Sequence, residues 1–132
     1  MQTGDITYTK CRLFAFVAFT ITCACEQGAS NDASRIGVVG GEPEQGALVI
    51  EMADCGACHT IPGIDRANGT VGPPLTFWSK RSYIAGSVPN LPHNLVEWLI
   101  DPHGVEPGTA MPDVGLTRQQ ARDVAAYLYT LE

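Results

Sequence analysis

The chain has 132 residues, enough for one domain, and a formal net charge of −6. The acidic excess rules out nucleic acid as a partner and argues against electrostatic capture by anionic lipid. A chain this short buries only a modest core of its own.

Residues 1–25 read as an export signal. Lys10 and Arg12 precede an uncharged run from Leu13 to Ala24, which is too short to span a bilayer as a helix. Cys23 and Cys25 stand where a lipoprotein signal places its acylated cysteine, and the small residue Ala24 before Cys25 favours the second. The usual Leu-small-small triplet is missing. A lipid tether at Cys25 is therefore the expectation, with simple cleavage nearby as the alternative. Residues 26–42 are rich in Gly, Ser, Asn and Asp without sustained periodicity. They read as a flexible tether with a root-mean-square span of roughly 20–25 Å.

Residues 43–132 are expected to form the folded domain. Pro43 suits the first turn of a helix, with Glu42 and Glu44 at its positive end, and the helix is expected to continue over residues 46–54. Met52 is expected to be a core side chain of this helix. Next comes Cys55-Gly56-Ala57-Cys58-His59, the attachment signature of a c-type haem. Two thiols on one turn of backbone can each add to a vinyl group along the same porphyrin edge. The His that follows offers its imidazole to the iron. The same Cys spacing also serves redox dithiols and zinc sites. The first needs βαβ flanks and the second four protein ligands, and the sequence supplies neither. The expected cofactor is one haem c, bound covalently through Cys55 and Cys58, with His59 as a metal ligand.

Between His59 and Pro92 about thirty residues show little regular structure, a length that counts against an ordinary domain. A loop with a ring to wrap escapes that objection. Residues 94–101 read as a second helix, with Pro92 near its start. Leu95, Trp98 and Leu99 lie on one face and Pro102 acts as the stop. Met111 stands in the stiff segment Pro107-Gly108-Thr109-Ala110-Met111-Pro112 and is the candidate for the second face of the iron. A thioether ligand favours the ferrous state. His93, in a first helical turn, and His103, in a Pro- and Gly-rich loop, are its rivals, and both are expected to be exposed. Thr117 and Gln120 form a capping box ahead of Ala121, Val124, Ala125 and Leu128 on one helical face, which Tyr127 and Leu131 widen. No segment shows strand alternation, so the fold class is all-α.

Residues 43–132 resemble a class I cytochrome c, and the match extends through the whole of this domain. Gly72-Pro73-Pro74-Leu75 is similar to the family's Gly-Pro-x-Leu segment. The resemblance implies that the Pro73 carbonyl accepts the hydrogen bond of the axial imidazole and that Leu75 lies against the haem. Trp98, thirteen residues before Met111, falls where the family places a large aromatic. Pro102 and the Pro107-Gly108-Thr109-x-Met111 run keep the family's spacing. The implied fold has three or more helices and long loops wrapped around one covalent haem, with Gly46 or Ile50 meeting Tyr127 where the first and last helices cross. Arg81 is the implied partner of a haem propionate, with a solvated pair beside Lys80 as the alternative. Tyr83 and Thr109 are further propionate donors, and Trp78 and Tyr83 either close the pocket or pack the loop. Tyr83-Ile84-Ala85-Gly86 and residues 94–98 look closest to small bacterial cytochromes associated with haem–copper oxidases, including domains fused to oxidase subunit II.

The implied function is that of a monomeric, periplasmic electron carrier without catalysis of its own. His59 and Met111 occupy both axial positions, the donor is a quinol–cytochrome c reductase and the acceptor a terminal oxidase. Two alternatives stand beside it. One is a haem enzyme or sensor from which Met111 detaches, and the other a fixed haem subunit of a larger redox complex.

Overall fold

The computed structural model describes residues 37, 38 and 40–132. The signal with Cys25, and residues 26–36 and 39 of the tether, lie outside the described residues. Four helices follow in chain order: α1 (Pro43–Met52), α2 (Pro92–Ile100), α3 (Pro102–Val105) and α4 (Arg118–Tyr129). Short 3₁₀ turns sit at Cys55–Ala57 and Trp78–Lys80, and a minimal hairpin joins β1 (Tyr83–Ile84) to β2 (Val88–Pro89).

Helix α1 starts on Pro43 and buries Gly46, Val49 and Ile50. The side chain that completes its amino terminus comes from far along the chain. Asp123 of α4 accepts the Glu42 N–H at 2.9 Å and the Gln119 amide at 2.9 Å. This α1–α4 crossing is very close. A Cβ at Gly46 would collide with the Asp123 carbonyl and press on the Tyr127 side chain, so only glycine fits there. Met52 is not in the core: it is 74% exposed. It follows the Gly46–Val49–Ile50 stripe but points off its edge, at the last residue before the helix ends. The helix also stops earlier than residue 54, because Asp54 adopts a left-handed conformation with φ 53°, which Asp tolerates better than most residues. That reversal turns the chain into the 3₁₀ turn carrying the two cysteines.

Helix α2 begins at Pro92, two residues earlier than its apolar spacing suggests, because proline is pre-organised for the first helical position. It buries Leu95, Val96, Trp98 and Leu99. Pro102 stops α2 and at once starts α3, whose first turn is capped by Asp101 accepting the Gly104 N–H at 2.8 Å. The capping box of α4 is present: Thr117 accepts from the Gln120 N–H, and the Gln120 side chain accepts the Thr117 N–H at 2.9 Å. Ala121, Val124, Ala125 and Leu128 are all buried, while Tyr127 and Leu131 are half-buried at the margin.

The end of α4 pins the long loop. Tyr127 donates to the Pro62 carbonyl at 2.7 Å, Tyr129 donates to Asn90 Oδ1 at 2.9 Å, and the Leu131 carbonyl accepts from Ser79 N at 3.1 Å. The hairpin turns through Ala85 and Gly86, both at positive φ, and its strands are too short to show alternation. The protein is thus mainly helical, with irregular backbone held against three helices.

Candidate functional site

The turn after α1 places Cys55 and Cys58 half-buried on one wall of a cavity of about 530 Å³, within the usual range for cofactor pockets. His59 follows on the same wall. Its Nδ1 lies 2.7 Å from the Pro73 carbonyl. A carbonyl only accepts, so Nδ1 carries the proton and Nε2 is left with a free lone pair. Gly72 lets the backbone pass close over the ring: a Cβ there would collide with the imidazole. Orientation and tautomer of His59 are therefore both set by residues 72–73.

Helices α1, α2 and α4 supply the apolar walls, through Ile50, through Leu95, Trp98 and Leu99, and through Val124 and Leu128. Leu75 joins them, its N–H held by the Thr60 carbonyl at 2.8 Å. From the loop after α3 come Thr109 and Met111. The Met111 N–H donates to Thr109 Oγ1 at 3.1 Å, and the Thr109 N–H to the Glu106 carbonyl at 3.0 Å. These bonds fold the segment into a compact turn that sets the half-buried Met111 against the core. Ser87 of the hairpin donates to Glu106 at 3.2 Å and ties the two loops together.

Arg81 also lines the cavity. Its Nη2 donates to the carbonyls of Pro74 and Thr76, the latter at 3.3 Å, and its guanidinium stands 5.2 Å from the Trp78 ring centroid. It is engaged with the loop, while Lys80 is exposed. Tyr83 lines the same cavity from the rim and is 58% exposed. The structure thus brings Cys55, Cys58, His59, Pro73, Leu75, Arg81, Tyr83, Trp98, Thr109 and Met111 to one cavity. His93 and His103 are exposed and not among its lining residues.

Sequence reasoning missed Glu106 as a cavity residue and missed the buried Asn90 beneath the Trp78–Lys80 turn. Asn90 donates to the carbonyls of Trp78 and Arg81 at 3.0 and 3.1 Å. No local signal marks it, because its burial depends on Tyr129, 39 residues away.

The chemistry of the wall separates the meanings of the Cys-x-x-Cys spacing. Burial pushes the Cys55 thiol up, with Asp54 and Cys58 adding to the effect against a backbone hydrogen bond. Reactive redox dithiols carry a depressed thiol instead. Among the described residues no group of three or more His, Cys, Asp or Glu side chains could hold a metal ion by itself, as a structural zinc site requires. A large apolar ring with a metal at its centre and carboxylates at its edge fits what is present. There are two free thiols, one imidazole with its outer nitrogen free, one thioether, a mainly apolar wall, and a buried indole N–H on Trp78 without a partner.

Residues 43–132 match the Cytochrome c family. Cytochrome c oxidase subunit 2 of Alkalihalophilus pseudofirmus is 33% identical over 89 residues, covering 67% of this chain and 25% of that protein. The chain therefore spans about a quarter of the length of this relative. The cytochrome c2 structure from Rhodobacter sphaeroides is 19% identical, with a TM-score of 0.55, over 69% of this chain and 96% of its own. That from Paracoccus denitrificans is also 19% identical, with a TM-score of 0.45, over 68% and 95%.

The chain belongs to the cytochrome c family. Membership brings the all-α cytochrome c fold and one haem c bound covalently through cysteines, and the free cysteines of the described residues are Cys55 and Cys58. Proteins of this family carry electrons.

Proposed function

We propose that the protein is a monohaem electron carrier of a respiratory chain, with iron held between His59 Nε2 and Met111 Sδ. The observation that carries this reading is the His59–Pro73 contact at 2.7 Å in the same cavity as Met111. It leaves one nitrogen lone pair and one thioether as the soft and borderline donors a low-spin haem takes. When bound, haem c supplies a one-electron couple. The chain's own residues do the rest. His59 is oriented by Pro73, Met111 by Thr109, and the apolar helices exclude water from the ring. If His59 and Met111 both served as iron ligands, no place would remain for a substrate, so the reading is of a carrier rather than an enzyme.

The 33% identity to an oxidase subunit supports a terminal oxidase as the acceptor, and a quinol–cytochrome c reductase is the donor this pairing implies. It also supports a second reading, a haem relay fixed within a larger oxidase-type assembly, which co-purification with other subunits would distinguish. The signal at residues 1–25 supports a periplasmic location, and Cys25 a lipid tether. Among the described residues no helix is long and apolar enough to cross a membrane.

The test is extraction with acidic organic solvent. Haem should stay on the polypeptide, and Cys55→Ala with Cys58→Ala should abolish the holoprotein. Extractable haem from the intact chain would end the reading. Ready binding of carbon monoxide by the ferrous form would favour an enzyme or sensor instead.

A further inference from the structure

The segment that carries Met111 is tied to the rest of the fold at one point. Residues 106–116 lead from α3 towards α4, and nearly all their hydrogen bonds stay within the segment or return to α3. The Glu106 N–H donates to the Pro102 carbonyl at 2.9 Å and the Thr109 N–H to the Glu106 carbonyl at 3.0 Å. The Met111 N–H donates to Thr109 Oγ1 at 3.1 Å and the Gly115 N–H to Asp113 Oδ1 at 2.8 Å. Among the described residues a single hydrogen bond joins this segment to a distant part of the chain. It runs from Ser87 Oγ to the Glu106 carboxylate at 3.2 Å.

The Ser87 end of that bond is rigid. Its N–H donates to the Ile84 carbonyl at 3.2 Å and closes a turn in which Ala85 and Gly86 have φ of 49° and 82°. Two consecutive positive φ values suit Asn-Gly, and alanine adopts the first at a cost. The surroundings hold the turn in place. Ile84 before it is 1% exposed, and the Pro89 carbonyl after it accepts from the Asn94 side chain of α2 at 3.0 Å. Backbone strain that a fold maintains points to a role. Glu106 passes the restraint on, because its carboxylate meets Ser87 while its carbonyl accepts from Thr109. Ser87, Glu106, Thr109 and Met111 thus form one continuous chain of hydrogen bonds.

We infer that the Ser87–Glu106 bond is a latch, and that both are positioning residues which keep Met111 seated on the iron. This rests on the His59 and Met111 ligation proposed above. Apolar packing sets Met111 against the core, but such packing has no direction. The hydrogen bond has one, and it opposes the swing of residues 106–112 away from the hairpin. Cutting it favours the open segment, in which a small external ligand replaces the thioether.

The test is the entry of imidazole into the ferric holoprotein. At saturating imidazole the binding rate levels off at the rate at which Met111 leaves, followed as loss of the sulfur-to-iron absorption band. Ser87→Ala should raise this limiting rate by roughly three- to tenfold, the effect of one hydrogen bond. Glu106→Ala should do the same, and the double variant should be no faster than either, since all three lose one and the same bond. Ser87→Thr keeps the hydroxyl and should stay near wild type. Tyr127→Phe removes the bond to Pro62, so it should lower the thermal unfolding midpoint and leave the limiting rate unchanged. Wild-type limiting rates in Ser87→Ala and Glu106→Ala would overturn the latch. Equal acceleration in Tyr127→Phe would overturn it too, by tracing the effect to general destabilisation. A wild-type protein without the sulfur-to-iron band would instead overturn the ligation itself, and that is read before any imidazole is added.

Discussion

At the scale of single residues the site is a set of fixed directions. Pro73 holds the proton side of His59 and Gly72 leaves room for its ring, while Thr109 holds the backbone of Met111. The two proposed ligands come from loops, yet both loops are braced by specific hydrogen bonds. Met111→His should therefore keep a low-spin haem and lower its potential, because imidazole stabilises ferric iron better than a thioether does. Potentiometric titration of the variant checks this, and a potential equal to or above wild type would remove Met111 from the iron. That these residues gather at one cavity was legible from the sequence because 55–59, 72–75 and 107–112 are short motifs. Asn90 and Glu106 were not, since their roles exist only once distant segments meet.

Among the elements, α4 carries the most. It crosses α1 at Gly46, walls the cavity with Val124 and Leu128, and anchors the loop through Tyr127 and Tyr129. Its start was legible because a capping box is local. The hairpin and α3 were not, because two-residue strands and a four-residue helix have no room for periodicity. Met52 shows the converse: an apolar residue within a helix faces solvent once the partner's geometry sets which face is buried. Burial pushes the Tyr129 hydroxyl up to about 12, above the ordinary tyrosine value near 10. The neutral form is thus favoured by the fold. Its stabilisation is fully present below the unfolded value and is lost as pH rises through the folded one. Denaturant unfolding of the holoprotein between those values should show stability falling, and Tyr129→Phe should flatten most of the fall. Tyr127, also raised by burial, leaves a residual slope. An identical slope in the variant would contradict the assignment to Tyr129.

For the whole molecule, the distribution of charge matters more than its sum. The chain is acidic overall, yet the exposed residues of the cavity lining are Val71, Pro73, Tyr83, Ala85, Gly108, Ala110 and Pro112, none of them charged. Val71 is 83% exposed. A partner that receives electrons through this rim meets an uncharged surface. The rate with a membrane-bound oxidase should therefore change little with ionic strength, since steering by charge is what salt screens. A steep fall with salt, measured by stopped flow, would place the docking contact on charged residues elsewhere. If Cys25 carries lipid, Cys25→Ser should release the protein from membranes with its potential unchanged. Its turnover with oxidase should then drop until excess soluble protein is added, because the tether acts only through local concentration. Wild-type protein found soluble, with a mass showing no lipid, would remove the anchor.

Under the proposed function His59 and Met111 would both be ligands of the iron, with no position left open. The ferric optical spectrum of the purified wild-type holoprotein tests it most directly. We predict the weak sulfur-to-iron charge-transfer band at neutral pH, and its loss in Met111→His. A wild-type spectrum without that band, or one that keeps it after Met111 is replaced, would contradict the account.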